Sequence, residues 1–252
     1  MGEDPARAGA EADALRLGID LGLTLIDTAE MYGAGGAERV VAEAIRGQRD
    51  RVMLVSKVMP QNATRRGTVS ACENSLKRLG TDRIDLYLLH WPGRTPVGET
   101  VAAFTELQDA GKIGAWGVSN FDAEEMAQVP PGCATNQVLY NPLTRGIEFD
   151  LLPWCRGRGM PVMAYSPVGQ GGALLRSPAL KVVAGRHGAT PAQVALAWTT
   201  RARGVVAIPK ASNPAHMRDN AASLALRLTA EDLATIDQAY PPPRRAAPLE
   251  IL

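Results

Sequence analysis

Leu23-Thr24-Leu25-Ile26-Asp27-Thr28-Ala29-Glu30-Met31-Tyr32-Gly33 is the stretch from which the fold of this chain can be read. Its apolar run, Leu23, Leu25 and Ile26, has the length and branching of a buried strand; it stops abruptly on Asp27, with Tyr32 in the loop beyond. The same design recurs six more times. Residues 52–55 are apolar and run into Ser56-Lys57, residues 84–89 end on His90, and residues 113–118 end on Ser119-Asn120. Residues 134–140 carry Asn136 and Gln137, residues 162–165 end on Tyr165-Ser166, and residues 205–209 end on Lys210. Each strand therefore hands a polar side chain to the loop after it. If the strands are parallel, these groups converge on one face.

Between the strands lie helical patterns. Ala14, Leu15, Leu17 and Leu21 give an amphipathic helix over residues 10–21, ahead of the first strand. Val40, Val41, Ala44 and Ile45 mark a second, and Val69, Cys72, Leu76 and Leu79 a third that Gly80 stops. Val101, Phe104 and Leu107 follow on a fourth. Ser177-Pro178 and Thr190-Pro191 each read as an N-cap followed by proline at the first helical position, and Thr190 with Gln193 has capping-box spacing. Thr229 opens the last helix, which Pro241 to Pro243 stop.

Seven strands alternating with helices, with apolar interiors and polar exits, predict an α/β fold with parallel strands covered by helices. A doubly wound sheet is the rival, but its Gly-x-Gly-x-x-Gly turn is absent, and Gly169-Gln170-Gly171-Gly172 comes late and with the wrong spacing. The expectation is a single TIM-type barrel domain over residues 1–252, with functional groups at the carboxyl ends of the strands. A net charge of +1, from 27 basic and 26 acidic residues, gives no electrostatic case for nucleic acid or an acidic membrane. The three cysteines, Cys72, Cys133 and Cys155, are too widely spaced to suggest a zinc site or a disulfide framework. No metal is expected. No apolar run approaches the roughly 20 residues of a membrane span, so a cytoplasmic protein is the expectation.

Asp27, Tyr32, Lys57 and His90 fall at the ends of three successive strands. A free phenol has a pKa of about 10, too high for easy proton exchange near neutrality. An ammonium such as Lys57 would stabilise the phenolate, Asp27 would hold that ammonium, and His90 could orient a substrate oxygen. Together they suit protonation of a carbonyl oxygen while hydride arrives at carbon. Taken singly, each has a plainer reading: Asp27 as a turn or cap residue, Tyr32 as a packed aromatic, His90 as a satisfied core residue, Lys57 as a side chain that reaches solvent. Four suitable groups at successive exits favour the joint reading.

The runs Leu25-Ile26-Asp27-Thr28-Ala29-x-x-Tyr32-Gly33, Val55-Ser56-Lys57 and Asp85-Leu86-Tyr87-Leu88-Leu89-His90-Trp91 resemble the signatures of aldo-keto reductases. Gly111-Lys112-Ile113, Gly117-Val118-Ser119-Asn120-Phe121, Asn136-Gln137 and Ile208-Pro209-Lys210 continue the resemblance in the family's order. It implies a barrel that reduces carbonyls with NAD(P)H, with Asp27, Tyr32, Lys57 and His90 as the catalytic tetrad and Tyr32 as general acid. It further implies that Ser119, Asn120 and Gln137 hold the nicotinamide carboxamide and that Tyr165 stacks on the ring. Ser166 and residues 169–174 would lie along the pyrophosphate. Lys210 and Ser212 would take an adenosine 2′-phosphate and Asn220 the adenine, while His216 stands where the family usually has arginine, with Arg218 the nearest guanidinium. NADPH is therefore expected over NADH.

Members of the family begin with a strand that this sequence, starting at Met1-Gly2-Glu3-Asp4, lacks; either the true start lies upstream or the barrel is short of one strand, and seven strands are expected in this chain. A monomer is expected unless a partner fills that gap. Met31 and Trp91 are the expected substrate walls, admitting small aldehydes, dicarbonyls or hydroxyketones. The alternative is a catalytically weak or inactive nucleotide-binding barrel with a regulatory role. A glycosidase would need two facing carboxylates, and Asp27 alone answers to that.

Overall fold

The computed structural model describes all residues, 1–252. They fall into two compact units: residues 1–121, 125–134 and 211–217 in one, and residues 122–124, 135–210 and 218–252 in the other.

In the first unit, helix α1 (Ala8–Asp20) precedes β1 (Leu25–Asp27), and the order continues α2 (Gly36–Ile45), β2 (Met53–Val58), α3 (Arg65–Leu79), β3 (Ile84–Leu89), α4 (Val97–Asp109) and β4 (Ile113–Ser119). Neighbouring strands are parallel, pairing Asp27 with Val55, Lys57 with Leu88 and Leu89 with Val118. Alternation along β2 separates two polar neighbours, both without solvent exposure. The Ser56 hydroxyl donates to Glu38 on α2 at 2.7 Å, whereas Lys57 on the opposite face donates to Asp27. A slip of one residue would exchange them. On the helix side of β3 and β4, the Tyr87, Phe104 and Trp116 rings pack in series, with centroid separations of 5.8 and 5.7 Å. Thr64 caps α3 by accepting from the Gly67 amide, and Gly80, at φ 63°, ends it.

The second unit contains β5 (Asn136–Leu139), α6 (Leu151–Arg156), β6 (Val162–Tyr165), α7 (Ala173–Arg176), α8 (Pro178–His187), α9 (Pro191–Thr199), β7 (Val205–Ile208) and α11 (Ala230–Ala239). The helices α5 (Ala123–Gln128) and α10 (Pro214–Ala222) each contain residues of both units. β5, β6 and β7 are parallel, Leu139 pairing with Tyr165 and Tyr165 with Ile208. The capping box at Thr190 and Gln193 forms as expected, and a second joins Thr229 to Asp232.

All seven expected strands form, and strand order follows chain order. At Ser177-Pro178 the expected order forms, with Ser177 as N-cap and Pro178 opening α8, although the Ser177 hydroxyl makes no capping bond. Within residues 169–174, α7 begins at Ala173.

Candidate active site

Strand pairing extends past the ends of β1 to β3 and sets the loops there. The Thr28 amide donates to the Val55 carbonyl at 2.9 Å, that of Glu30 to Lys57 at 3.3 Å, and that of His90 to Val58 at 3.0 Å. In consequence Asp27, Tyr32, Lys57 and His90 meet. The Lys57 ammonium, with no solvent exposure, donates to Asp27 Oδ2 at 2.6 Å and to the Thr28 carbonyl at 2.9 Å. It lies 3.4 Å from the Tyr32 hydroxyl. These contacts use all three ammonium protons, so Lys57 is fixed in orientation with one proton aimed at the phenol oxygen. His90 Nε2 is also 3.4 Å from that oxygen, and the two rings meet edge to face. Tyr32 itself is 37% exposed. The group is therefore buried at its cationic end and open at its phenolic end.

Electrostatics divide the roles. Burial pulls the Lys57 pKa down, yet Asp27 and the Tyr32 oxygen outweigh it and hold the pKa above the ordinary lysine value. For His90, burial first and the Lys57 ammonium second act the same way, lowering its pKa to about 3. The ring is neutral near pH 7 and offers or accepts one hydrogen bond at Nε2 according to its tautomer. Its Nδ1 is buried with no protein partner. Trp91 packs on His90 at 4.8 Å between centroids, and Met31, beside Tyr32, is exposed.

The remaining sequence-derived residues lie on or after β4 to β7 and on α10. Ser119 and Asn120 follow β4 in the first unit, where Asn120 donates to the His90 carbonyl and the Ser119 hydroxyl, each at 3.2 Å. Asn120 has φ 62°, a left-handed conformation that asparagine tolerates better than most residues. In the second unit Gln137 is buried on β5, and Tyr165 and Ser166 are half-buried after β6. Ser166 is also left-handed, at φ 49°, and its carbonyl accepts from Asn141 Nδ2 at 3.0 Å. The Leu252 amide lies 3.4 Å from the Tyr165 hydroxyl, and tail residues 247–250 border a cavity of about 30 Å³ with Leu139 and Ile147. Lys210 of the second unit and His216 of the first are exposed, Ser212 is half-buried, and Asn220 is buried. No group of three or more His, Cys, Asp or Glu is arranged to hold a metal ion.

The sequence reading missed two contributors. The Thr28 carbonyl takes one Lys57 proton, and a backbone acceptor leaves no mark in sequence. Glu30 accepts from the Met59 amide at 2.7 Å and from Asn62 Nδ2 at 3.0 Å, partners that the fold of the loop after β2 supplies.

The family model described as Aldo/keto reductase family matches residues 4–241. The chain belongs to that family. It is 52% identical to the methylglyoxal reductase YeaE of Escherichia coli (strain K12), over 100% of this chain and 92% of that one. It is 36% identical to a glyoxal reductase of Bacillus subtilis (strain 168), over 91% of this chain and 83% of the relative. Among solved structures, an aldo/keto reductase from Klebsiella pneumoniae in complex with NADP and acetate superposes with a TM-score of 0.98 at 52% identity. That match covers 100% of this chain and 92% of the other. The α/β barrel class expected from the sequence is thus the fold of this aldo/keto reductase.

Proposed function

We propose that this aldo/keto reductase is an NADPH-dependent carbonyl reductase of small aldehydes and α-dicarbonyls, with Asp27, Tyr32, Lys57 and His90 as its catalytic tetrad. The observation that carries the proposal is the placing of one phenol oxygen 3.4 Å from both a buried ammonium and a neutral imidazole. The E. coli relative's name as a methylglyoxal reductase and the Klebsiella complex with NADP support the substrate class and the cofactor.

The donor set fits a nicotinamide cofactor. Ser119 at the end of β4, Asn120 just after it and Gln137 on β5 are buried hydroxyl and carboxamide groups, of the kind that match a carboxamide's own donor and acceptor. Tyr165 would stack on the ring, with Ser166 and residues 169–174 along the pyrophosphate. Lys210, Ser212, His216 and Asn220 would take the adenosine end. Bound NADPH supplies hydride to the carbonyl carbon. Tyr32 delivers a proton to the carbonyl oxygen; Lys57 stabilises the phenolate left behind, and Asp27 keeps Lys57 charged. His90, neutral, orients the carbonyl oxygen towards the phenol. The exposed phenolic end between Met31 and Trp91 admits a small substrate, while the buried ammonium keeps the charged part of the relay away from water.

NADPH oxidation against a panel of carbonyls tests the proposal. Methylglyoxal and small aldehydes should be reduced, and Tyr32→Phe should lose about 10²–10⁴-fold in kcat while still binding NADPH. Wild-type protein that binds NADPH yet reduces none of the panel would overturn it.

A further inference from the structure

The acid–base groups lie at and just beyond the ends of three consecutive strands, and the Tyr32 side chain does little to fix its own position. Its hydroxyl has two contacts, accepting from Lys57 Nζ and meeting His90 Nε2, both at 3.4 Å and long for hydrogen bonds of a nitrogen or an oxygen donor. The loop it sits on then turns through Gly33 and Ala34, both left-handed, at φ 56° and 50°. After Tyr32 that turn packs on the Gly2 carbonyl, where a Cβ on Gly33 would stand 2.7 Å away; the backbone before Tyr32 is held separately. Glu30, two residues earlier, supplies three bonds there: its amide donates to the Lys57 carbonyl at 3.3 Å, and its Oε1 accepts from the Met59 amide at 2.7 Å and from Asn62 Nδ2 at 3.0 Å.

The far side of this clamp is itself anchored. The Asn62 amide donates to the Met59 carbonyl at 2.9 Å, and its carbonyl accepts from the Thr68 hydroxyl of α3 at 3.3 Å. Pro60, between them, packs on Gly93 in the loop that follows His90, so closely that a Cβ on Gly93 would stand 2.6 Å from Pro60 Cβ. Contact thus runs from the Tyr32 loop through Glu30 to the loop after Lys57, and through Pro60 and Gly93 to the loop after His90.

We propose that Glu30 is a positioning residue for Tyr32, its carboxylate clamping the loop after β1 to the loop after β2 so that the phenol stays within reach of both Lys57 and His90. The inference rests on the reading of Tyr32 as the acid. Because both side-chain bonds fall on one carboxylate oxygen, a carboxamide of the same shape can accept them through its own oxygen. Glutamine should therefore preserve the clamp and alanine should abolish it.

The test measures kcat for methylglyoxal at saturating NADPH, normalised to the number of NADPH sites counted by fluorescence titration, with the Michaelis constant for NADPH alongside. Glu30→Ala should lower kcat per site about 10- to 100-fold, the scale expected when a reacting group is misplaced by about 1 Å, and leave the NADPH constant nearly unchanged. Glu30→Gln should restore most of it, and Asn62→Ala, which removes one of the two side-chain bonds, should fall between. A Glu30→Ala kcat equal to wild type, or a Glu30→Gln loss as deep as that of alanine, would overturn the clamp. A wild type idle toward every carbonyl would instead count against the functional reading. Crystal structures of the two Glu30 variants then decide the clamp alone: a displaced Tyr32 in the alanine variant only upholds it, and an unmoved one refutes it.

Discussion

His90 is the residue whose charge state the fold determines most plainly. Burial and the Lys57 ammonium hold its pKa at about 3, against 6.5 for the free side chain. The unfolded chain takes up a proton at this ring as pH falls through 6.5, while the folded chain does not. The stability that goes with a neutral His90 is therefore complete above that value and drains away towards the folded pKa. At pH 5 the loss from this one ring is about 2 kcal/mol. Urea unfolding at pH 7 and pH 5 should show wild type losing that much more stability than His90→Gln, and equal losses would contradict the assignment. At this scale the sequence was legible where a group stands at a strand exit: Asp27, Lys57 and His90 each end an apolar run, and they meet. Glu30 was illegible in its role, because what it binds, a backbone amide and Asn62, depends on how the loop after β2 folds.

Between the elements, α2, β2 and α3 are joined by one buried carboxylate. Glu38 of α2, without solvent exposure, accepts from the Ser56 hydroxyl at 2.7 Å and from Arg78 Nε of α3 at 2.5 Å. Arg78 also reaches the Ser75 hydroxyl at 3.1 Å, and its stem packs where a Cβ on Gly35 would stand 2.6 Å away. Arg78→Met would keep much of the stem and leave Glu38 charged and under-compensated, at a cost of about 3 kcal/mol. A urea midpoint shifted accordingly is the expected outcome; a variant as stable as wild type would show that Glu38 is relieved in some other way. Helix ends that depend on a few neighbouring residues, such as the Thr190 capping box and the Gly80 stop, could be read from sequence because their chemistry is local. The helix α7 could not, because four residues mark it too weakly to recognise. The interlocking of Glu38 with Arg78 spans 40 positions and has no local signature.

For the molecule as a whole, seven apolar runs with polar exits were enough to give the strand count and order, since each parallel strand needs its own covering helix before the next. Which nicotinamide cofactor the chain favours is read best through stability, because a ligand that binds only the folded chain raises it. At a hundred times its dissociation constant, NADPH should add about 2.7 kcal/mol and raise Tm by roughly 5–10 °C. NADH at the same concentration should do less, since Lys210 would lack its phosphate partner; an equal or larger shift with NADH would reverse the preference. Replacing His216 by arginine should widen the gap, a guanidinium fork being the better phosphate ligand. No helix is long and apolar enough to cross a membrane. The central claim, that the Tyr32 phenol between Lys57 and His90 protonates a carbonyl oxygen, is tested most directly in a single turnover of enzyme loaded with NADPH and mixed with methylglyoxal. Wild type should consume the bound nicotinamide rapidly and release the hydroxy product, while Tyr32→Phe, loaded to the same extent, should be slower by at least about a hundredfold. Equal rates from the two proteins would contradict the account.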